Sequence, residues 1–133
     1  MPPRTRIGYE IHTLDHTIGK LIFALKANLG KDSDLTQMQG WIIGYLYEHA
    51  GEDIFQKDIE AHFCIARSTA TGILKLMEKK GYLTRESSPD DRRLKRLILT
   101  EKAAALQKAT MVHIGEMEKM LIAGISPDDL ECF

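Results

Sequence analysis

The stretch Ile65-Ala-Arg-Ser-Thr-Ala-Thr-Gly-Ile-Leu-Lys-Leu-Met-Glu-Lys-Lys-Gly-Tyr-Leu-Thr-Arg85, continued by Glu86-Ser-Ser-Pro-Asp-Asp-Arg-Arg-Leu-Lys-Arg-Leu-Ile-Leu-Thr100, changes its period midway. Up to Lys80 the apolar residues Ala70, Ile73, Leu74 and Met77 recur at helical spacing, which predicts a helix from about Ala66 to Lys80, stopped by Gly81. Its other face presents Arg67, Ser68, Thr69, Thr71, Gly72 and Lys75. Beyond Gly81, Tyr82 to Glu86 and Lys95 to Thr100 read as two strands. Ser87 to Leu94, with Pro and Asp as turn chemistry, joins them as a hairpin with a long loop.

Upstream, a short helix is expected from about Gln56 to His62, with Ile59 and Phe63 facing inward and Cys64-Ile65 as a tight connection. Thr36 and Gln39 form a capping box that opens a helix to about Ala50, apolar at Trp41, Ile42, Tyr45 and Leu46. Gly51-Glu52-Asp53 is a turn and Ile54-Phe55 a very short strand. Further upstream Ile7, Ile11, Leu14, Ile18, Leu21 and Leu25 make a regular seam on a helix from about Gly8 to Leu29, ended by Gly30. That seam needs a covering helix from this chain or a second copy. Downstream, Thr100 caps a helix to about Ile125 with a stripe of Leu106, Ala109, His113, Met117 and Leu121. Ser126 and Pro127 start one more helix. The sequence stops about two turns into it, which suggests a shortened C-terminus.

The fold class is therefore mainly α with a small β-hairpin, a winged helix-turn-helix over residues 36–100 with flanking helices, all in a single domain of 133 residues. No apolar run approaches the roughly 18 residues that cross a bilayer. The basic N-terminus lacks the apolar segment of a secretory signal, so a cytoplasmic protein is expected. Cys64 and Cys132 form no metal or disulfide spacing. The net charge of −1 conceals an asymmetry, because Arg67 to Arg96 carries +5 and the remainder −6. A local anionic partner or a solvated charged face would both give such a run.

The arrangement suits duplex DNA, since a helix fits the major groove and reads its donor and acceptor pattern. Ser68 and Thr71 can reach base edges or phosphates, Arg67 can fork onto guanine or phosphate, and Lys75 lies within reach of the backbone. Arg92, Arg93, Lys95 and Arg96 sit at and just after the loop tip, where a narrow projecting loop meets the minor groove. Asp91 is placed to bond an arginine or cap the turn. The wing decides for DNA, because so much like charge on a hairpin would repel itself without an anion.

The stretch Ile65 to Arg85 resembles the recognition helix and first wing strand of the MarR family, and Asp90-Asp91-Arg92-Arg93-Leu94-Lys95-Arg96 followed by Leu97 to Thr100 resembles its wing signature. The resemblance covers about Leu35 to Lys102. It implies a transcriptional regulator, expected to be a repressor, that binds a pseudo-palindromic operator as a homodimer, with 1–35 and 101–133 as dimerisation helices. It further implies a small aromatic or anionic effector, for which His12, His16, Trp41 and Tyr45 are the candidates. No cofactor, metal or catalytic set is expected. The sequence departs from the family pattern at Cys64, where glycine is common in the turn, at Ala66, where a polar N-cap is usual, and at Gly72, where a polar or basic residue is frequent.

Three further chemistries come into question. His12 and His16 at i, i+4, with His113, could grip a metal in a metal-responsive regulator of the same fold, though unrelated histidines are the favoured reading. Cys64 beside His62 could be a reactive thiol, but an inert, half-buried cysteine is expected. The winged helix could also serve as a protein–protein docking module with an acidic partner.

Overall fold

A computed structural model describes residues 6–28 and 34–133. The chain divides into two units, Met1–Asp34 and Leu35–Phe133. The first contains α1 (Ile7–Asn28), so the expected stop at Leu29 and Gly30 lies outside the described residues. Ile7, Tyr9, Ile11, Leu14 and Phe23 are exposed on α1.

The second unit runs α2 (Gln37–Glu48), α3 (Gln56–Phe63), α4 (Arg67–Lys79), β1 (Leu83–Ser87), β2 (Lys95–Leu99), α5 (Glu101–Ile122) and α6 (Pro127–Cys132). The Thr36 capping box forms as expected: Gln39 N donates to Thr36 Oγ1 at 3.3 Å and Thr36 N to Gln39 Oε1 at 3.1 Å. The core joins Ile42, Ile43 and Leu46 of α2, Ile59 of α3, Leu74 and Met77 of α4, Tyr82, Leu83, Leu97 and Ala103. Truncating a buried leucine such as Leu74 to alanine costs about 2–5 kcal/mol, so this cluster fixes the angle at which α4 is presented. Trp41, expected among the apolar positions of α2, is 51% exposed within its unit; Ile43 takes the buried place.

The helix ends explain the tight connections. Cys64 ends α3 at φ 52°, ψ 45°, and Ile65 N bonds to Glu60 O at 3.1 Å. A left-handed non-glycine residue is thus accepted to make the turn between α3 and α4. Contrary to the half-buried position expected, Cys64 is exposed, because this backbone turns its side chain outward beside Ala61. α4 ends on Gly81 at φ 81°, with Gly81 N bonded to Glu78 O and Tyr82 N to Met77 O, the paired bonds of a Schellman motif.

β1 and β2 pair antiparallel, from Leu83 opposite Leu99 to Ser87 opposite Lys95. The short strand expected at Ile54-Phe55 is reduced to one bridge, Phe55 with Arg96, extended by Leu97 N to Ile54 O at 2.8 Å. On α5 the inward row is Ala103, Leu106, Thr110, His113 and Met117, spaced 3, 4, 3, 4, while Ala109 and Leu121 are exposed. Thr110 can take that place because its hydroxyl donates to Leu106 O at 2.8 Å. α5 stops at Ile122, three residues before the expected end, where Gly124 turns the backbone at φ 83°.

Candidate nucleic-acid interface

α4 follows α3 after a three-residue turn and is joined to the hairpin by the Tyr82 N bond to Met77 O and by Arg85 Nε, 3.3 Å from Glu78 Oε2. Burial of Ala70, Leu74 and Met77 leaves Arg67, Ser68, Thr69 and Lys75 exposed on the other side of α4. Gly72 lies among them with open space where a Cβ would stand, which leaves a flat patch in the middle of this face. Ala66 begins α4 without a side-chain cap, as its residue type dictates. The backbone N–H groups of the first turn are thus left for solvent or an anion.

Thr71 is placed differently from its exposed neighbours. It is half-buried, donates to Arg67 O at 2.8 Å, and accepts from Gln56 Nε2 at 2.9 Å. Gln56 Nε2 also lies 3.3 Å from Arg67 O. Gln56, at the first position of α3, therefore ties the two helices of the motif together. Nothing in the sequence singles it out, because a lone polar residue at a helix start carries no signal of a partner fifteen positions away.

The wing loop is ordered from within. Arg93 N donates to Asp91 Oδ1 at 2.9 Å and Leu94 N to Asp91 O at 3.0 Å, so Asp91 caps the turn as expected. Ser88 N donates to Leu94 O at 2.8 Å and closes the loop base. Arg92, Arg93 and Lys95 are exposed. Arg96 is engaged instead: its guanidinium donates to Asp53 Oδ1 at 2.9 Å and Glu86 Oε2 at 3.0 Å. The hydrogen bond to Asp53, and then that to Glu86, hold Arg96 above its ordinary pKa, so it stays charged.

The basic excess of Arg67 to Arg96 is thus unevenly available. Arg85 turns inward with Nε 3.3 Å from Glu78 Oε2, and Lys80 Nζ donates to Gln39 Oε1 at 3.3 Å. What projects outward is Arg67, Lys75 and Lys79 on α4, with Arg92, Arg93 and Lys95 on the wing.

The remaining candidates are divided between the two units. His12 and His16 are exposed on α1, in the first unit. Trp41 is exposed on α2 of the second unit, whereas Tyr45 is half-buried, its ring 4.2 Å from His49 and 4.4 Å from His62. Among the described residues no three His, Cys, Asp or Glu side chains gather as a metal site, and His113 instead faces Glu116 at 3.6 Å.

Two helices at a tight turn, followed by a docked hairpin, define a winged helix-turn-helix. Comparison with known proteins agrees: residues 33–94 match the MarR family. The transcription regulator MarR from Oenococcus oeni PSU-1 is 29% identical, with a TM-score of 0.73 over 93% of this chain and 90% of that one. A variant of S. aureus MepR bound to an oligodeoxyribonucleotide is 26% identical, with a TM-score of 0.70 over 96% and 90%. The S. aureus MepR–DNA complex shares the fold at 24% identity, with a TM-score of 0.81 over 98% and 90%. The family match covers residues 33–94, and the fold is that of MarR-family transcription regulators. No described helix is long and apolar enough to cross a membrane.

Proposed function

We propose that this chain is a sequence-specific DNA-binding transcription regulator that acts as a homodimeric repressor and is released from its operator by a small-molecule effector. One observation carries the reading: Arg67, Ser68, Thr69 and Lys75 on α4 and Arg92, Arg93 and Lys95 on the hairpin that follows it are all exposed. The DNA-bound state of the MepR structures supports it. In this reading α4 enters the major groove and the wing follows the backbone into the minor groove. Arg67 and Ser68 contact bases, while Lys75, Arg92, Arg93 and Lys95 meet phosphates. Thr71 acts through its bond with Gln56 as much as by direct contact. The protein binds and does not catalyse, and it works in the cytoplasm where its DNA lies.

The homodimer is supported by apolar side chains exposed on α5 and α6, among them Val112, Ile114, Ile122 and Leu130, and separately by those on α1. Two copies related by a two-fold axis would present their recognition helices roughly 34–36 Å apart, one turn of DNA. The effector is a small aromatic or anionic compound, a proposal that rests on the family likeness.

Selection of duplexes from a random library, followed by a salt titration of the winner, tests the reading. A recovered half-site repeat and a log K that falls against log salt by about 0.9 per neutralised phosphate are expected. A chain that enriches no duplex at low salt is not a DNA reader.

A further inference from the structure

We propose that Arg96 is a positioning residue of the wing, an anchor that holds the hairpin against the turn before α3 so that Arg92, Arg93 and Lys95 project outward, and that it does not itself take a phosphate. The inference rests on the DNA-binding reading for what the wing does, and on the ion pairs alone for what Arg96 does.

Arg96 is the cross-strand partner of Glu86, and its guanidinium spans from that residue to Asp53, in the turn after α2. The planar fork of an arginine presents donors in fixed directions to two carboxylates at once, a pre-organisation that lysine lacks. The two bonds, 2.9 Å to Asp53 and 3.0 Å to Glu86, engage one N–H on each terminal nitrogen. The trio carries a net charge of −1, so it repels a phosphate where an isolated arginine would attract one. The main chain agrees with the side chain. Arg96 forms the bridge to Phe55, and the next amide, Leu97 N, bonds to Ile54 O at 2.8 Å. Among the described residues Arg92, Arg93 and Lys95 show no ion pair, so anchoring and contact are divided between neighbours along one short stretch. Arg96, read from sequence as a fourth wing contact, is reassigned by its partners.

The test uses the full chain with Asp53→Asn and Glu86→Gln combined. Limited trypsin digestion should cut after Arg92 and Arg93 about fivefold faster than in the native chain, the scale of losing exposed ion pairs, while the thermal midpoint falls by no more than about 3–5 °C. In an Arg96→Gln background the same pair of changes should add nothing further, because the interaction is already gone. On the duplex that the native chain selects, the Asp53→Asn, Glu86→Gln chain should bind about threefold more weakly. Removing two negative charges beside DNA would otherwise tighten binding, so the sign is diagnostic. Unchanged cutting in the wing, additive effects in the Arg96→Gln background, or tighter binding would each overturn the anchor. If the native chain selects no duplex, the DNA reading fails and the protease arm still decides whether Arg96 anchors the wing.

Discussion

Thr71 shows how a reading-face hydroxyl can be bound to its own protein. Its hydrogen goes to Arg67 O and its oxygen accepts from Gln56 Nε2, so both helices of the motif meet at one atom. Thr71→Val keeps the shape but removes the shorter of the two bonds of the half-buried Gln56 amide, leaving it only Arg67 O at 3.3 Å. A destabilisation of about 1 kcal/mol is expected, seen as a fall of about 3–5 °C in the thermal midpoint; Thr71→Ser should restore it. A valine variant as stable as the native chain would show that solvent replaces the bond. Arg93 is the converse case, exposed and without an ion pair among the described residues, while its backbone N–H is fixed by Asp91. Arg93→Ala should weaken binding to all duplexes and lower the salt slope by about 0.9 for each phosphate that the arginine neutralises. An unchanged slope would mean that Arg93 meets no phosphate.

At the level of elements, α4 starts poorly and ends well. Ala66 offers no side-chain cap, whereas Gly81 closes the helix with both Schellman bonds. Ala66→Ser should supply the missing acceptor and stabilise the chain by about 1 kcal/mol, read by denaturant unfolding. No gain would mean that the first-turn amides are already satisfied. The elements themselves were legible in the sequence, because each carries a local signal: the Thr36 and Thr100 caps, the apolar spacing of Ala70, Leu74 and Met77, and the Pro-Asp chemistry of the wing turn. The left-handed backbone at Cys64 was legible as well, from a residue standing where glycine is common. What escaped was set by long-range pairing. Nothing local marks Gln56 as the partner of Thr71, or Asp53 as the partner of Arg96. The row on α5 was displaced because Thr110 could satisfy its own hydroxyl within the helix and so replace Ala109 on the inward side.

At the scale of the whole molecule, the second unit taken by itself exposes apolar side chains along α5 and α6. Val112 is 62% exposed on α5 and Ile114 41%, with Ile122 and Leu130 beyond. Sedimentation at micromolar concentration is expected to give a dimer, and Val112→Glu with Ile114→Glu should yield monomers that lose most of their operator affinity. A native chain that sediments as a monomer would sink the two-fold arrangement, and with it the half-site spacing. Trp41 is the only tryptophan of the chain and is exposed in its unit, so its emission is a convenient report on association or on an added effector.

The bond from Leu97 N to Ile54 O has a further use. Leu97 pairs with Arg85 in the hairpin, yet its amide hydrogen points the other way, to a residue more than forty positions earlier. The hairpin closes through pairings that are near in sequence and therefore fast, whereas this bond forms only when the hairpin seats on the segment before α3. Exchange of that single amide with deuterium consequently measures seating alone. A wing that detaches without unravelling would expose Leu97 N while leaving the ladder amides of β1 and β2 protected.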